Sequence, residues 1–330
     1  MNVQDAILKY GYRVIPFFAA LGLKLTPTSS VWFVDSGHAN TLDATDGEHG
    51  TCPELPLATI DYAIGLCTAG NQDVILVAPG HAETLESAAD ITCDVDDVQI
   101  IGLGTGDNKP VLTVTTANNE GGPVKFSGNN ITLKNIRFVG GTTGGSQNVI
   151  EINTSTYITI EDCDFIETAN TLELSVAANY GIITVLDTTA ASSFITIRGC
   201  TVYSVLGGDD VSFFSVTDGS NGCTNILIEN NRIWGDFNDT VFFLDQGTTA
   251  VTIVTLRNND VVNNDAAATN NIMQIDAAAV VAMLGNRFCT GQGGAVAPLA
   301  NTGASFGVEN FVCEPNAYGL KYPLAASSMA

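Results

Sequence analysis

Between residues 131 and 312 the apolar and polar positions keep returning to one short pattern. Full copies occupy Ile131–Phe138, Ile158–Phe165, Ile195–Val202, Ile226–Ile233 and Val254–Val261, and shortened copies read Leu284–Phe288 and Val308–Val312. Inside the first copy Ile131, Leu133, Ile136 and Phe138 are apolar, whereas Thr132, Lys134 and Arg137 are polar. A period of two marks a strand with one buried face, and no helix fits it. Repetition of such a unit means a stack in which each unit buries its apolar face only against its neighbours.

Taking Leu133, Ile160, Ile197, Ile228, Leu256, Leu284 and Val308 as equivalent gives steps of 24 to 37 residues. That suits one turn of a parallel β-helix, with loops inserted where the step is long. A second β-rich run separates the copies, at Val149–Ile152, Ile182–Val185, Phe213–Val216, Val241–Leu244 and Ile272–Ile275. Each coil therefore carries at least two strands. Two places after each reference residue stand Asn135, Asp162, Gly199, Asn230, Asn258, Asn286 and Asn310, mostly types that tolerate a left-handed backbone, so an Asn column is expected at a coil corner.

The outward positions agree with this register. One residue past the reference the column reads Lys134, Glu161, Arg198, Glu229, Arg257, alternating in sign, and Arg137, Asp164, Thr201, Arg232, Asp260 nearly does the same. Rungs about 4.8 Å apart bring opposite charges together, each exposed pair contributing about 0.2–1 kcal/mol. These columns hold register and are not read as a site.

The N-terminal third differs. Residues 1–30 hold a possible short helix, Asp5–Tyr12, and an apolar run, Val14–Leu23. The run is too short to span a bilayer and lacks an Ala-x-Ala cleavage site, so residues 1–30 are expected to be a retained anchor that docks into another protein through Ile15, Phe17, Phe18, Leu21 and Leu23. A strand at Val31–Asp35, a helix over Pro56–Leu66 with apolar spacing at Ile60, Ala63 and Ile64, and a strand and turn over Asp73–His81 follow. The helix is expected to cap the apolar end of the solenoid. Residues 31–104 form the cap and first coils, Val98–Gly104 opening the regular stack. Residues 105–313 form the remaining coils and 314–330 a C-terminal cap or tail.

Composition narrows the function. The 330 residues carry 35 acids against 12 bases, a formal net charge of −23. Such a field disfavours nucleic acid and anionic membranes as partners. It suits simple solubility or divalent cations, so no cofactor is expected and Ca2+ is the one ion the acid excess would accommodate. Eight cysteines include no CxxC pair, which leaves zinc spacing absent. Cys163 lies under Cys200 and Cys289 under Cys313 as stacked thiols, and Cys52 and Cys67, flanking the cap helix, are the best disulfide candidates.

Together the Val-Asp strand, the Asp46-Gly47 loop, the Pro56–Ile60 helix start, the Ile75–Gly80 turn and the Ile-Thr-Ile repeats resemble the right-handed parallel β-helix proteins of the pectin-lyase-like superfamily. The version with a retained N-terminal segment most resembles bacteriophage virion proteins. The resemblance covers roughly residues 31–313. It implies an all-β, single-stranded right-handed parallel β-helix. It further implies a homotrimer on the virion surface, assembled in the host cytoplasm, that decorates a capsid or forms a spike.

Candidate chemistry is sparse. Asp187, Asp218, Asp245 and Asp276 each follow the second β-run of a coil and could line one groove at separations suited to glycosidase carboxylates, although turn-capping aspartates would show the same column. His81 is read as structural or exposed, and Asp43–Glu48 only faintly matches a calcium loop. Phe213, Phe214, Phe242 and Phe243 are expected to give one inward and one outward ring per strand, the outward rings forming an apolar face between subunits. The sequence therefore favours a non-enzymatic capsid decoration protein docked on the major capsid or another virion protein. The alternative is a tail spike or fibre that binds host surface polysaccharide or hydrolyses it with those carboxylates.

Overall fold

A computed structural model describes residues 26, 28–115, 121–140, 148–167, 180–186, 190–204, 212–217, 223–237, 240–244, 252–264, 271–275, 279–290, 299–301, 304–308 and 310–313. Among them the strands fall into three sheets of ten, eight and nine strands, parallel throughout. The coils wind right-handed. Each repeat copy turns out to be two strands rather than one. In the second copy Thr156–Glu161 lies in the ten-stranded sheet and Asp164–Ile166 in the nine-stranded sheet. The phase of the alternation slips between Leu133 and Ile136 because the chain turns a corner there, with Asn135 left-handed at φ 59°. The second β-rich run supplies the eight-stranded sheet.

Inward residues stack on their own kind. Ile158, Ile195, Ile226, Val254 and Val281 form one buried column, and Leu133, Ile160, Ile197, Ile228, Leu256 and Met283 another. Phe138 and Phe165 stack at 5.1 Å with planes 6° apart. Each ring or branched chain buried this way removes enough apolar surface to contribute about 1.5–3 kcal/mol, and the core extends by adding rungs.

The structure corrects the end of the predicted ladder. Leu256 pairs with Met283, and Arg257 with Leu284. Leu284 therefore continues the outward charged column, and Val308 is its register partner in the next strand. The copy at Val281–Phe288 is not shortened: Gly285 takes the left-handed corner at φ 63° and Asn286 lies one position further on.

Two adjacent columns result. Asn135, Asp162, Gly199, Asn230, Asn258 and Gly285 are left-handed corners. At Gly199 an added Cβ would lie 2.5 Å from Oδ1 of Asp162, so the side chain of the coil below already fills that space. One residue on, Asn231, Asn259, Asn286 and Asn310 form a buried ladder. The Nδ2 group of Asn259 donates to the Ile228 carbonyl at 2.8 Å and to Oδ1 of Asn286 at 3.0 Å, while its own Oδ1 accepts from the Asn231 amide at 3.1 Å. Every step repeats this exchange through Asn310, whose Nδ2 reaches the Met283 carbonyl at 2.9 Å. Cys163 and Cys200 occupy the same column lower in the stack as buried thiols, their sulfurs facing the Glu161 and Arg198 carbonyls at 3.4 and 3.5 Å. Burial pushes the Cys163 thiol up to about 12 and raises the Cys200 thiol well above its ordinary value, which keeps both protonated.

At the N-terminal end Val31–Val34 pairs with Asp73–Val77, so the stack begins before Val98. The helix is shorter than expected, Ile60–Gly65, because Leu57 is held as a β-bridge partner of Val34. Thr59 caps it by accepting from the Tyr62 amide at 3.3 Å. Ile60, Ala63 and Ile64 are buried, as their spacing requires, and the helix packs on the first strands. Asp73 is wholly buried yet satisfied by the Ser30 and Thr68 amides and by Asn71. Cys52 and Cys67 are free thiols and not a disulfide. Cys67 turns back along the helix and donates to the Ala63 carbonyl at 3.4 Å.

Candidate functional site

Asp187, Asp218, Asp245 and Asp276 lie outside the described residues, as do Ile15, Phe17, Phe18, Leu21 and Leu23. The strands before the aspartates are described. Ile183, Phe214, Phe242 and Met273 are partners in register. Counting on from them, Asp187 and Asp218 follow four residues later, whereas Asp245 and Asp276 follow three later.

The aromatic face expected at Phe213, Phe214, Phe242 and Phe243 is not an exposed face. Phe213, Phe214 and Phe242 are buried, and the Phe213 ring meets Phe165 edge-on at 6.2 Å and Phe242 at 6.3 Å. Phe214 pairs with Phe242, which puts both on the inner side of the sheet. Phe243 does alternate outward in the column Lys125, Glu151, Thr184, Ser215 and Phe243, but above Lys125 every member of that column is buried, and Phe243 is only 7% exposed. Polar members of that column pair along it: Lys125 with Glu151 at 3.1 Å, and Thr184 with Ser215 at 2.9 Å.

Exposed apolar side chains gather instead at the corner where each coil enters the ten-stranded sheet. Tyr157 is 56% exposed, Phe194 45%, Ile253 55% and Val280 42%. The strand register stacks them, with Asn225 between Phe194 and Ile253. Their rings meet flat, Tyr157 on Phe194 at 4.7 Å and 7°. The backbone here is left-handed on successive coils, at Gln72, Asp97, Asn130, Tyr157, Phe194, Asn225 and Ile253, with φ between 54° and 64°. Asn and Asp accept that geometry, whereas a bulky or β-branched residue in it is strained by about 1–3 kcal/mol. The sequence signal was two successive apolar residues, Tyr157-Ile158, Phe194-Ile195 and Ile253-Val254, at the head of a copy, where alternation alone predicts one.

The charged columns stand as read. Lys134 and Arg198 flank Glu161 at 3.0 and 2.8 Å, Arg257 bonds Glu229 at 2.9 Å, Arg137 and Lys109 reach Asp164 at 3.4 and 3.0 Å, and Arg287 reaches Asp260 at 2.6 Å. Partial burial pushes the Glu161 carboxyl up, but the hydrogen bonds from Arg198 and Lys134 outweigh it and hold the group below its ordinary range. Among the eight described Lys and Arg side chains only Arg232 makes no ion pair, since Thr201 lies on one side of it and Asp260 on the other side is engaged by Arg287. Beside it on the same outer face Tyr203, 39% exposed, and half-buried Trp234 stack at 4.9 Å.

Histidines and loop acids serve local structure. His81 is buried and accepts from the Ser36 amide at 3.0 Å, with Glu83 at 3.3 Å from its other nitrogen. Asp43 accepts from the Ala58 amide and the Thr59 hydroxyl, tying the loop to the helix start. Asp46 accepts from the His49 and Glu48 amides, and these bonds lower its carboxyl from 3.8 to about 2. Among the described residues no group of three His, Cys, Asp or Glu side chains is arranged to hold a metal ion.

No protein-family model matches the sequence, and no curated protein matches it. Solved structures do. Pectate lyase Pel9A superposes with a TM-score of 0.53 at 13% identity, over 90% of this chain and 78% of that one. The fold is the right-handed parallel β-helix. A rhamnogalacturonan lyase superposes on the same β-helix with a TM-score of 0.47 at 11% identity, over 79% and 74% of the two chains. ORF18 of Geobacillus virus E2 gives 0.45 at 13% identity, over 77% and 57%. At such identities the likeness concerns the path of the β-helix and not its chemistry.

Proposed function

We propose that this β-helix is a structural protein of a bacteriophage virion, a capsid decoration protein present as a homotrimer and docked on the major capsid or another virion protein through residues 1–30. The observation that carries the reading is how the outer surface is used. Seven of the eight described basic side chains are tied into ion pairs, six of them joining one coil to the next. A solenoid whose outside is occupied in holding its own register is suited to be a rigid rod. The multi-copy part of the reading is supported by the bulky apolar residues kept at strained, exposed corners.

A second reading, a spike that binds or depolymerises host surface polysaccharide, is favoured by one observation: Arg232 without an ion pair beside exposed Tyr203 and half-buried Trp234. Removing residues 1–24 tests the first reading by sedimentation with virus particles. The full chain is expected to co-sediment and the truncated chain to stay in the supernatant. Undiminished co-sedimentation of the truncated chain would contradict the docking role. Oligosaccharide released from host capsule by the full chain, and lost in Asp245→Asn, would favour the spike instead.

A further inference from the structure

We infer that the corner column Tyr157, Phe194, Asn225, Ile253 and Val280 is a seam along which further copies of this chain pack side by side and parallel. The inference rests on the multi-copy part of the proposed function and assigns it a surface other than the buried phenylalanines.

Three observations converge on the seam. First, four of its five members expose large apolar side chains, although at the same corner other coils carry Gln72, Asp97 and Asn130. Within one chain the Tyr157–Phe194 stack is a gain at two of these corners, but at Ile253 folding gains nothing from replacing an Asn that suits a left-handed backbone with an exposed Ile that does not. Retained strain at the surface points to a contact made with something else.

Second, the seam carries no charge. The neighbouring outward column, Thr159, Thr196, Leu227 and Thr255, carries none either. Two chains of net charge −23 repel over most of their surfaces, and a neutral apolar line is where they can approach. Third, the line is straight and regular. Its five members span four rungs of about 4.8 Å, or about 19 Å. A partner that meets every rung must repeat at the same spacing, as a parallel copy does. A projecting corner also suits convergence on a rotation axis, the closed symmetry most homo-oligomers adopt.

The test is the solution mass, by light scattering, of the full chain and of the triple variant Tyr157→Asn, Phe194→Asn, Ile253→Asn. The unaltered chain is expected at a multiple of its 34.5 kDa mass and the variant at 34.5 kDa. In the same variant the melting temperature measured on the dissociated chain should be unchanged or higher, because Asn relieves the corners. A partner-free structural role would instead lower it, and that result overturns the inference. Thr196→Glu places a charge beside the seam without touching its backbone and is expected to dissociate the copies as well, so the question survives poor folding of the triple variant. Variants that keep the multi-copy mass would remove the seam and leave the multi-copy reading standing. A single-chain mass for the unaltered protein at micromolar concentration would remove both.

Discussion

Single residues decide where this chain can turn. At the corner between the ten- and nine-stranded sheets a left-handed residue is followed by an inward one, and in the upper coils the inward residue is Asn. Asn259 exchanges hydrogen bonds with the coils on both sides of it, so replacing it with Leu keeps the volume but strands the Asn231 amide and the Ile228 carbonyl. The Asn259→Leu variant is expected to lose about 3 kcal/mol in urea unfolding. A loss within about 0.5 kcal/mol would mean that the ladder adds nothing to stability. The sequence displayed these asparagines but not which of two neighbouring columns each belongs to. Asn286 and Asn310 were aligned with Asn258, whereas they stack above Asn259, because Gly285 can serve as a corner as readily as Asn. The residue type alone does not distinguish a left-handed corner from an inward amide ladder.

At the scale of the strand, period-two alternation makes the inward face legible in the sequence from Ile131 to Val261, and the alternating charges of the outward column agree with it. Where the copies depart from consensus, at Val281–Phe288, the alignment slipped by one residue, and a slip of one sends every side chain to the opposite face. The phenylalanines failed for a related reason: in Val241–Leu244 every residue is buried, and alternation carries no information when both faces are covered. Ile228, by contrast, is an inward rung stacked between Ile197 and Leu256. Ile228→Asp would bury a carboxylate with no partner and is expected to lower stability by at least about 3 kcal/mol by thermal or urea unfolding. Unchanged melting would place that side chain in water and refute the register.

The whole molecule is a rod built by repetition, so its core was readable from the sequence while its function was not. Inward positions repeat and reinforce one another, whereas the features that distinguish this rod are single departures: Tyr157, Phe194 and Ile253 where Asn would suffice, and Arg232 left without an ion pair. The candidate carboxylates and the anchor residues occupy segments outside the repeat, which periodicity does not reach. What the rod does therefore depends on which of its surfaces meets another molecule. The most direct measurement is a cryo-electron microscopy reconstruction of the purified full chain. Parallel solenoids meeting along the Tyr157–Val280 corner are the predicted result, and solitary rods, or copies joined through another face, would contradict the account.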